Sequence, residues 1–75
     1  MIYTDKIHLV ADSLNELHCF AIKIGLKINW FQNNKKHPHY DIWGKMLIKA
    51  IKNGAIIINS KELVLISKKL ISNGL

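Results

Sequence analysis

Two imidazoles, a phenol and a carboxylate fall within five consecutive positions near the middle of this 75-residue chain. The segment reads His37-Pro38-His39-Tyr40-Asp41, and it closely follows Trp30-Phe31-Gln32. Imidazoles and carboxylates carry general acid–base chemistry and bind metals, and aromatic rings can stack on planar ligands. Pro38 restrains His37 to an extended conformation, which stiffens the approach to His39. We therefore expect a functional site at this segment.

Other residues that could join this site are His8, Asp12 and His18. With His39 and Asp41 they could form a metal site or an acid–base pair, although their spacings match no standard zinc motif. His37-Pro38-His39 could bind a metal if a strand placed both imidazoles on one face. The alternative is that the two earlier histidines are structural and that His37 is exposed. We assign no metal ligand and expect no cofactor.

Candidate nucleophiles are few. Cys19 lies inside a predicted helix, where a thiol is usually an inert small hydrophobe, and Ser13 and Ser60 are better explained as helix caps. The sequence contains neither a Gly-x-Ser-x-Gly elbow nor a glycine-rich phosphate loop. We therefore expect no nucleophilic catalysis and assign no catalytic residue, which leaves open whether the protein is an enzyme.

The composition is that of one small folded domain over residues 1–75. Hydrophobic residues make up 49% and charged residues 21%, which is typical of a folded chain. The longest apolar runs are far shorter than the roughly 18 residues that a membrane span needs, and no signal peptide is visible. Cys19 is the single cysteine, which excludes an internal disulfide. We expect a cytoplasmic protein.

The basic charge comes from lysine alone. The net charge is +6, and the 11 basic residues are all lysines. Arginine usually reads guanine edges and paired phosphate oxygens, so its absence argues against sequence-specific nucleic-acid binding. The lysines are spread along the chain, and we interpret them as solvated faces that can still attract phosphates loosely.

The hydrophobic pattern predicts strands and helices in alternation. Ile2–Thr4 and Ile7–Ala11 form either a tight hairpin or one bent strand. A helix over Leu14–Ile24 begins at a capping box made by Ser13 and Glu16, and a glycine C-cap ends it.

The second half of the chain continues this alternation after a long irregular segment, 26–41, which we interpret as a functional loop. Asp41 caps a second helix over Ile42–Lys52. Ala55–Ile58 is a fully apolar strand, typical of the centre of a parallel sheet. A second capping box, Asn59-Ser60-Lys61-Glu62, opens the last helix.

This order predicts an α/β fold with a small two- or three-stranded, mainly parallel sheet packed with three helices. In such sheets ligands bind beyond the carboxyl ends of the strands, at helix N-termini. Asp12-Ser13 and Asn59-Ser60 follow two of the predicted strands, and the segment ending in Asp41 could close over the same edge. So small a sheet has exposed edges, and we expect a homodimer that buries Trp43 or extends the sheet.

Six stretches of the sequence, spread over nearly the whole chain, carry a family resemblance. They are His8-Leu9-Val10-Ala11-Asp12-Ser13, Glu16-Leu17-His18-x-Phe20-Ala21-x-x-Ile24-Gly25-Leu26, Trp30-Phe31-Gln32, His37-Pro38-His39-Tyr40-Asp41-Ile42, Gly54-Ala55 and Ser60-Lys61-Glu62-Leu63. Together they resemble the domain-of-unknown-function 4031 family of small phage and bacterial proteins.

The resemblance implies which residues belong to the family's motif, but it implies no activity. The motif residues are His8, Asp12, Glu16, His18, Trp30, Gln32, His39, Tyr40 and Asp41. Family members usually have a longer segment before the His-x-x-Ala-Asp element, where this chain keeps only Asp5-Lys6-Ile7. Any site residue that this longer segment contributes in other members would be missing here.

We expect a small cytoplasmic, phage-encoded protein that binds a phosphate-bearing or nucleotide-like small molecule, for example to sequester a host signalling nucleotide. Trp30 and Tyr40 would stack on the ligand, the imidazoles would donate hydrogen bonds, and the two aspartates would orient the imidazoles. The predicted ligand-binding residues are His8, Asp12, His18, Trp30, Gln32, His39, Tyr40 and Asp41. The alternatives are a metal-dependent or His/Asp acid–base hydrolase of phosphodiesters, and a regulator that binds a host protein.

Overall fold

The computed structural model of the protein describes residues 1–33 and 38–73. In this part of the chain, five strands and three α-helices follow one another, with a 3-10 turn after the first helix. The elements are β1 (Ile2–Thr4), β2 (His8–Ala11), α1 (Leu14–Ile24), the 3-10 turn (Ile28–Trp30), β3 (Phe31–Gln32), β4 (His39–Asp41), α2 (Gly44–Lys52), β5 (Ile56–Ile57) and α3 (Ser60–Asn73). None of the helices described is long and apolar enough to cross a membrane.

The strands form one mixed sheet in the order β3-β4-β2-β1-β5. β1 pairs with β5 in parallel, whereas the other three neighbouring pairs are antiparallel. The predicted α/β class with three helices is therefore confirmed, but the two- or three-stranded, mainly parallel sheet is wrong. The missed strands, β3 and β4, have two and three residues, which is too short to show an alternating pattern in the sequence.

A tight hairpin joins β1 to β2, which decides between the two predicted alternatives. Its turn contains Lys6 in the left-handed region, with φ of 79°, where a glycine would be expected. The Asp5 side chain stabilises the turn without a glycine, because its Oδ1 accepts hydrogen bonds from the backbone amides of Ile7 and His8 at 3.0 and 2.7 Å.

Helix α1 has the bounds that the sequence predicts. The Ser13 hydroxyl oxygen accepts a hydrogen bond from the Glu16 amide at 3.1 Å, as the capping box requires. The Glu16 carboxylate accepts from the Met1 amino group at 2.6 Å. At the other end Gly25 is left-handed, with φ of 98°, and the amide of Leu26 donates back to the Ala21 carbonyl.

Two predictions in the second half of the chain are wrong. Asp41 does not cap α2: it lies in β4, and Trp43 occupies the cap position without a side-chain hydrogen bond to the described residues. The run Ala55–Ile58 is not a central strand, because β5 lies at the edge of the sheet with Ile57 half exposed. A continuous apolar run is therefore a weak guide to burial in a sheet this small.

The sheet separates two layers of helices. Leu9, Ala11 and Tyr40 point to one face, where they form the main core with Leu17 of α1 and Ala50 of α2. Because side chains alternate along a strand, His8 and Val10 of β2 point to the other face. There α3 packs against β2. The two faces of β2 thus belong to different layers.

A buried hydroxyl in α3 gives a test of this second layer. Ser67 is fully buried, and its hydroxyl has no hydrogen-bond partner among the residues that the structure describes. We expect Ser67→Ala to keep or raise the free energy of unfolding, by up to about 1 kcal/mol, because it removes a desolvated polar group and favours the helix. Urea unfolding followed by circular dichroism measures the change.

The matched control is Ser13→Ala, which removes the hydroxyl that caps α1. It should cost about 1 kcal/mol. A larger loss in Ser67→Ala than in Ser13→Ala would contradict the packing of α3 described above.

Candidate functional site

Three strands have their carboxyl ends at the same end of the sheet. The pairing directions make β1, β4 and β5 run the same way and β2 the opposite way. The carboxyl ends of these three strands therefore meet the amino end of β2. Residues from all four strands or their flanks lie there: Asp5, His8, Asp41 and Ser60.

Asp5 is the buried centre of this end of the sheet. Its side chain is 2% exposed. The carboxylate lies 3.0 and 3.2 Å from Nδ1 of His8, and it accepts a hydrogen bond from the Ser60 hydroxyl at 2.8 Å. The last contact joins the β1–β2 turn to the first residue of α3, which is 55 positions away in the chain. One carboxylate thus orients an imidazole and anchors a helix.

These contacts also set the charge state of Asp5. Burial alone would raise the pKa of the carboxyl group, because it penalises the charged form. The hydrogen bonds from the His8 ring and amide, the Ser60 hydroxyl and the Ile7 amide outweigh burial and hold the pKa well below its usual range. Asp5 is therefore ionised throughout the physiological pH range.

His39 and Asp41 complete a group with His8 on one face of the sheet. His8 and Asp41 are directly paired across β2 and β4, and His39 precedes Asp41 by two positions, so strand alternation puts all three side chains on the same side. His39 Nε2 lies 3.2 Å from a carboxylate oxygen of Asp41, and the two imidazole rings meet edge to face at 4.8 Å.

We call Asp5, His8, His39 and Asp41 the His/Asp cluster. One ligand atom from each of His8, His39 and Asp41 lies within 4.8 Å of the other two. The His39 side chain is 8% exposed, that of His8 32% and that of Asp41 51%, so the group is buried on one side and open on the other. Such a group can exchange protons with a ligand, donate hydrogen bonds to it or hold a cation.

Tyr40 and His18 lie on the opposite face of the sheet from the cluster. Tyr40 is fully buried, and its hydroxyl lies 2.7 Å from Nδ1 of His18. Burial raises the pKa of the Tyr40 hydroxyl, which therefore stays protonated. Phe31 packs edge-on against the His18 ring at 4.7 Å. No face of the Tyr40 ring is accessible, so the structure gives no support to the predicted stacking of a ligand on Tyr40.

Asp12 also lies apart from the cluster. It follows the carboxyl end of β2, four residues beyond His8, which corresponds to about 13 Å along a strand. Its carboxylate accepts from the Met1 amino group at 3.0 Å and from the Tyr3 hydroxyl at 3.2 Å. The predicted role of Asp12 in orienting an imidazole does not fit this position. Asp5 has that role.

Gln32 lies on the cluster's side of the sheet, whereas Trp30 packs against the main core. Gln32 is exposed and directly paired with His39, so its side chain lies on the cluster's face of the sheet. Trp30 immediately precedes β3 at the end of the sheet where β4 finishes, and its ring centroid lies 5.8 Å from that of Trp43. Lys27 Nζ lies 5.6 Å from the Trp30 ring centroid. The imidazole of His37 falls outside the described residues.

A comparison with protein families confirms the resemblance seen in the sequence. The family described as "Protein of unknown function (DUF4031)" matches residues 4–70. The chain belongs to the DUF4031 family. No curated protein and no solved structure matches it. All of the residues of the His/Asp cluster lie within the stretch that the DUF4031 model covers.

Two site residues of this DUF4031 protein were missed by sequence reasoning. Asp5 stood between two apolar runs and was interpreted only as part of a turn, and Ser60 was interpreted only as part of a cap. A polar residue that initiates a turn just before a histidine was the available signal for Asp5. No sequence signal indicated the hydrogen bond between Asp5 and Ser60, because the two residues are 55 positions apart in the chain.

The low pKa of Asp5 predicts a pH-dependent stability. Since the folded pKa lies below that of an unfolded aspartate, about 4, ionised Asp5 stabilises the protein fully above that pH. The contribution is lost as the pH falls through the folded value. We expect Asp5→Asn to cost roughly 1–3 kcal/mol at neutral pH, because its amide cannot replace both acceptor oxygens.

The loss of stability on acidification should also be shallower in Asp5→Asn than in the parent chain. Urea unfolding at a series of pH values from about 7 to about 3 measures both effects. Asp12→Asn serves as control, since the Asp12 side chain is 54% exposed. Parallel pH profiles for Asp5→Asn and the parent chain would contradict the proposed charge state.

Tyr40 gives a second test, of a structural role. Tyr40→Phe removes the contact with His18 and should lower the free energy of unfolding by about 1 kcal/mol. The control is Tyr3→Phe, whose hydroxyl contacts the exposed Asp12 carboxylate and should matter less. Thermal unfolding compares the two variants. An equal loss of stability in both variants would refute this role.

Proposed function

We propose that the protein binds a phosphate-bearing, nucleotide-like small molecule at the end of the sheet where the His/Asp cluster lies. The observation that carries this proposal is the convergence of His8, His39 and Asp41 within 4.8 Å at the carboxyl ends of three strands. Ligands of sheet proteins are bound at such ends, where loops and helix N-termini supply polar groups. The imidazoles would face the phosphate or the ribose.

The charge around the cluster supports a phosphorylated ligand. Two aspartates would repel a phosphate, but exposed lysines flank the same end of the sheet. Lys6 lies in the β1–β2 turn, Lys45 in the first turn of α2 and Lys61 in the first turn of α3. Long, flexible lysine side chains can reach phosphate oxygens as point charges, and this fits the absence of arginine.

An aromatic surface at the same end supports a planar group in the ligand. Trp43 is 57% exposed and follows Asp41 by two positions, and its ring lies against that of the half-buried Trp30. An exposed tryptophan held by a second one offers a preformed face for a nucleobase. In this proposal Trp43, which the sequence suggested as a contact in a dimer or with a host protein, takes the stacking role first given to Tyr40.

Calorimetry with a panel of mono-, di- and triphosphate, cyclic and dinucleotide ligands tests the proposal. We expect one class of nucleotide to bind, and Trp43→Ala to weaken it by about tenfold, the loss expected for one stacked base. His39→Ala should weaken it as well. The matched control is Ile48→Ala on α2, where an exposed apolar side chain is removed away from the cluster. The absence of binding across the panel, together with no nucleotide in mass spectra of the purified protein, would refute the proposal.

Acid–base hydrolysis of phosphodiesters is the second candidate. It is favoured by the close contact between the His39 ring and the Asp41 carboxylate, since an imidazole beside a carboxylate can act as a general base or acid toward a bound ester. The same samples distinguish the two functions: an intact nucleotide recovered after incubation favours binding, and cleaved product favours hydrolysis. Five expectations stay predictions from the sequence alone. They are sequestration of a host nucleotide, a phage source, a cytoplasmic location, homodimerisation and regulation of a host protein.

A further inference from the structure

We propose that His8, His39 and Asp41 bind one divalent transition-metal ion of the zinc class. This inference goes beyond nucleotide binding, because it concerns the protein alone and is measured without any nucleotide. It starts from distances. The donor atoms around a tetrahedral zinc ion lie about 3.3 Å apart. His39 Nε2 and an Asp41 oxygen are already 3.2 Å apart, and the third ligand atom lies within 4.8 Å of both.

Only a small rearrangement separates this geometry from a coordinated one. The Asp41 side chain is half exposed, so it can turn about its side-chain torsions without disturbing the core, whereas Asp5 holds the His8 ring in place. The backbone that carries them is held in register by the direct pairing of His8 with Asp41. His39, the most buried of the three, supplies the rigid ligand.

The donor chemistry selects the kind of ion. Two imidazole nitrogens and one carboxylate oxygen suit zinc and neighbouring first-row metals, whereas magnesium and calcium prefer oxygen ligands alone. Three protein ligands also leave a coordination position open, as in catalytic rather than structural zinc sites. A phosphate oxygen or a water molecule would fill that position.

Asp5 supplies the outer contact that such sites use. In protein metal sites the second nitrogen of a coordinating histidine is commonly held by a carboxylate, which sets the tautomer and the ring orientation. Here the buried Asp5 carboxylate lies against Nδ1 of His8 and is itself held by the Ser60 hydroxyl and two backbone amides. This arrangement orients Nε2 of His8 as the coordinating atom.

The test uses untagged protein that has been dialysed against a chelator, so that no affinity tag competes for the ion. Calorimetry with zinc chloride at neutral pH should show one ion bound per chain, and cobalt(II) should give the visible absorption of a low-coordinate site. Asp41→Asn should weaken zinc binding by about tenfold or more, and His39→Ala should abolish it. Asp5→Asn, which removes an outer contact, should weaken it by about 10–100-fold.

Asp12→Asn is the matched control for Asp41→Asn. The two side chains have nearly equal exposure, 54% for Asp12 and 51% for Asp41. Asp41 lies in β4 beside the amino end of β2, whereas Asp12 follows the carboxyl end of β2. Circular dichroism checks that each variant is folded. Binding that Asp12→Asn keeps and Asp41→Asn loses supports the site. The absence of stoichiometric zinc binding, or an equal loss in both variants, overturns it, and neither result would affect a nucleotide that binds without metal.

Discussion

A carboxylate that is buried must be surrounded by donors, and in this protein the side chain of Asp5 meets that requirement from three directions. The amides of its own turn donate to one oxygen, the His8 ring lies against both oxygens, and the Ser60 hydroxyl donates from the start of α3. Each donor offsets part of the cost of removing the charge from water. The turn, the imidazole and the helix are therefore held in place by one side chain.

Strand alternation divides His39, Tyr40 and Asp41 between the two faces of the sheet. Tyr40 points into the core formed with α1, where its hydroxyl meets His18, whereas its neighbours on either side point to the other face and join His8. Three consecutive residues thus belong in part to the core and in part to the His/Asp cluster. A shift of one residue in the pairing of β4 would exchange these roles, so the register of β4 against β2 is essential for both.

Helix α1 could be predicted from sequence because its signals are local. Its capping serine, its apolar stripe and its terminal glycine all lie within 13 positions, and the structure reproduces the predicted bounds. Strands β3 and β4 could not be predicted from the sequence, because such short strands are stabilised only by pairing with distant residues. The same limit applies to the candidate site. His39 and Asp41 were predicted as site residues, but Asp12, which was grouped with them, follows the opposite end of β2. The direction of β2 could not be read from its residues.

The hydrogen bond between Asp5 and Ser60 also bears on how the chain folds. It closes a loop of 55 residues, whereas the β1–β2 hairpin and α1 need only contacts within the first 24 residues. Loop-closure entropy makes distant contacts slower to form than local ones. We therefore expect the His/Asp cluster to be assembled late in folding, and a chain that ended before α3 would lose the hydrogen bond from Ser60 to the Asp5 carboxylate.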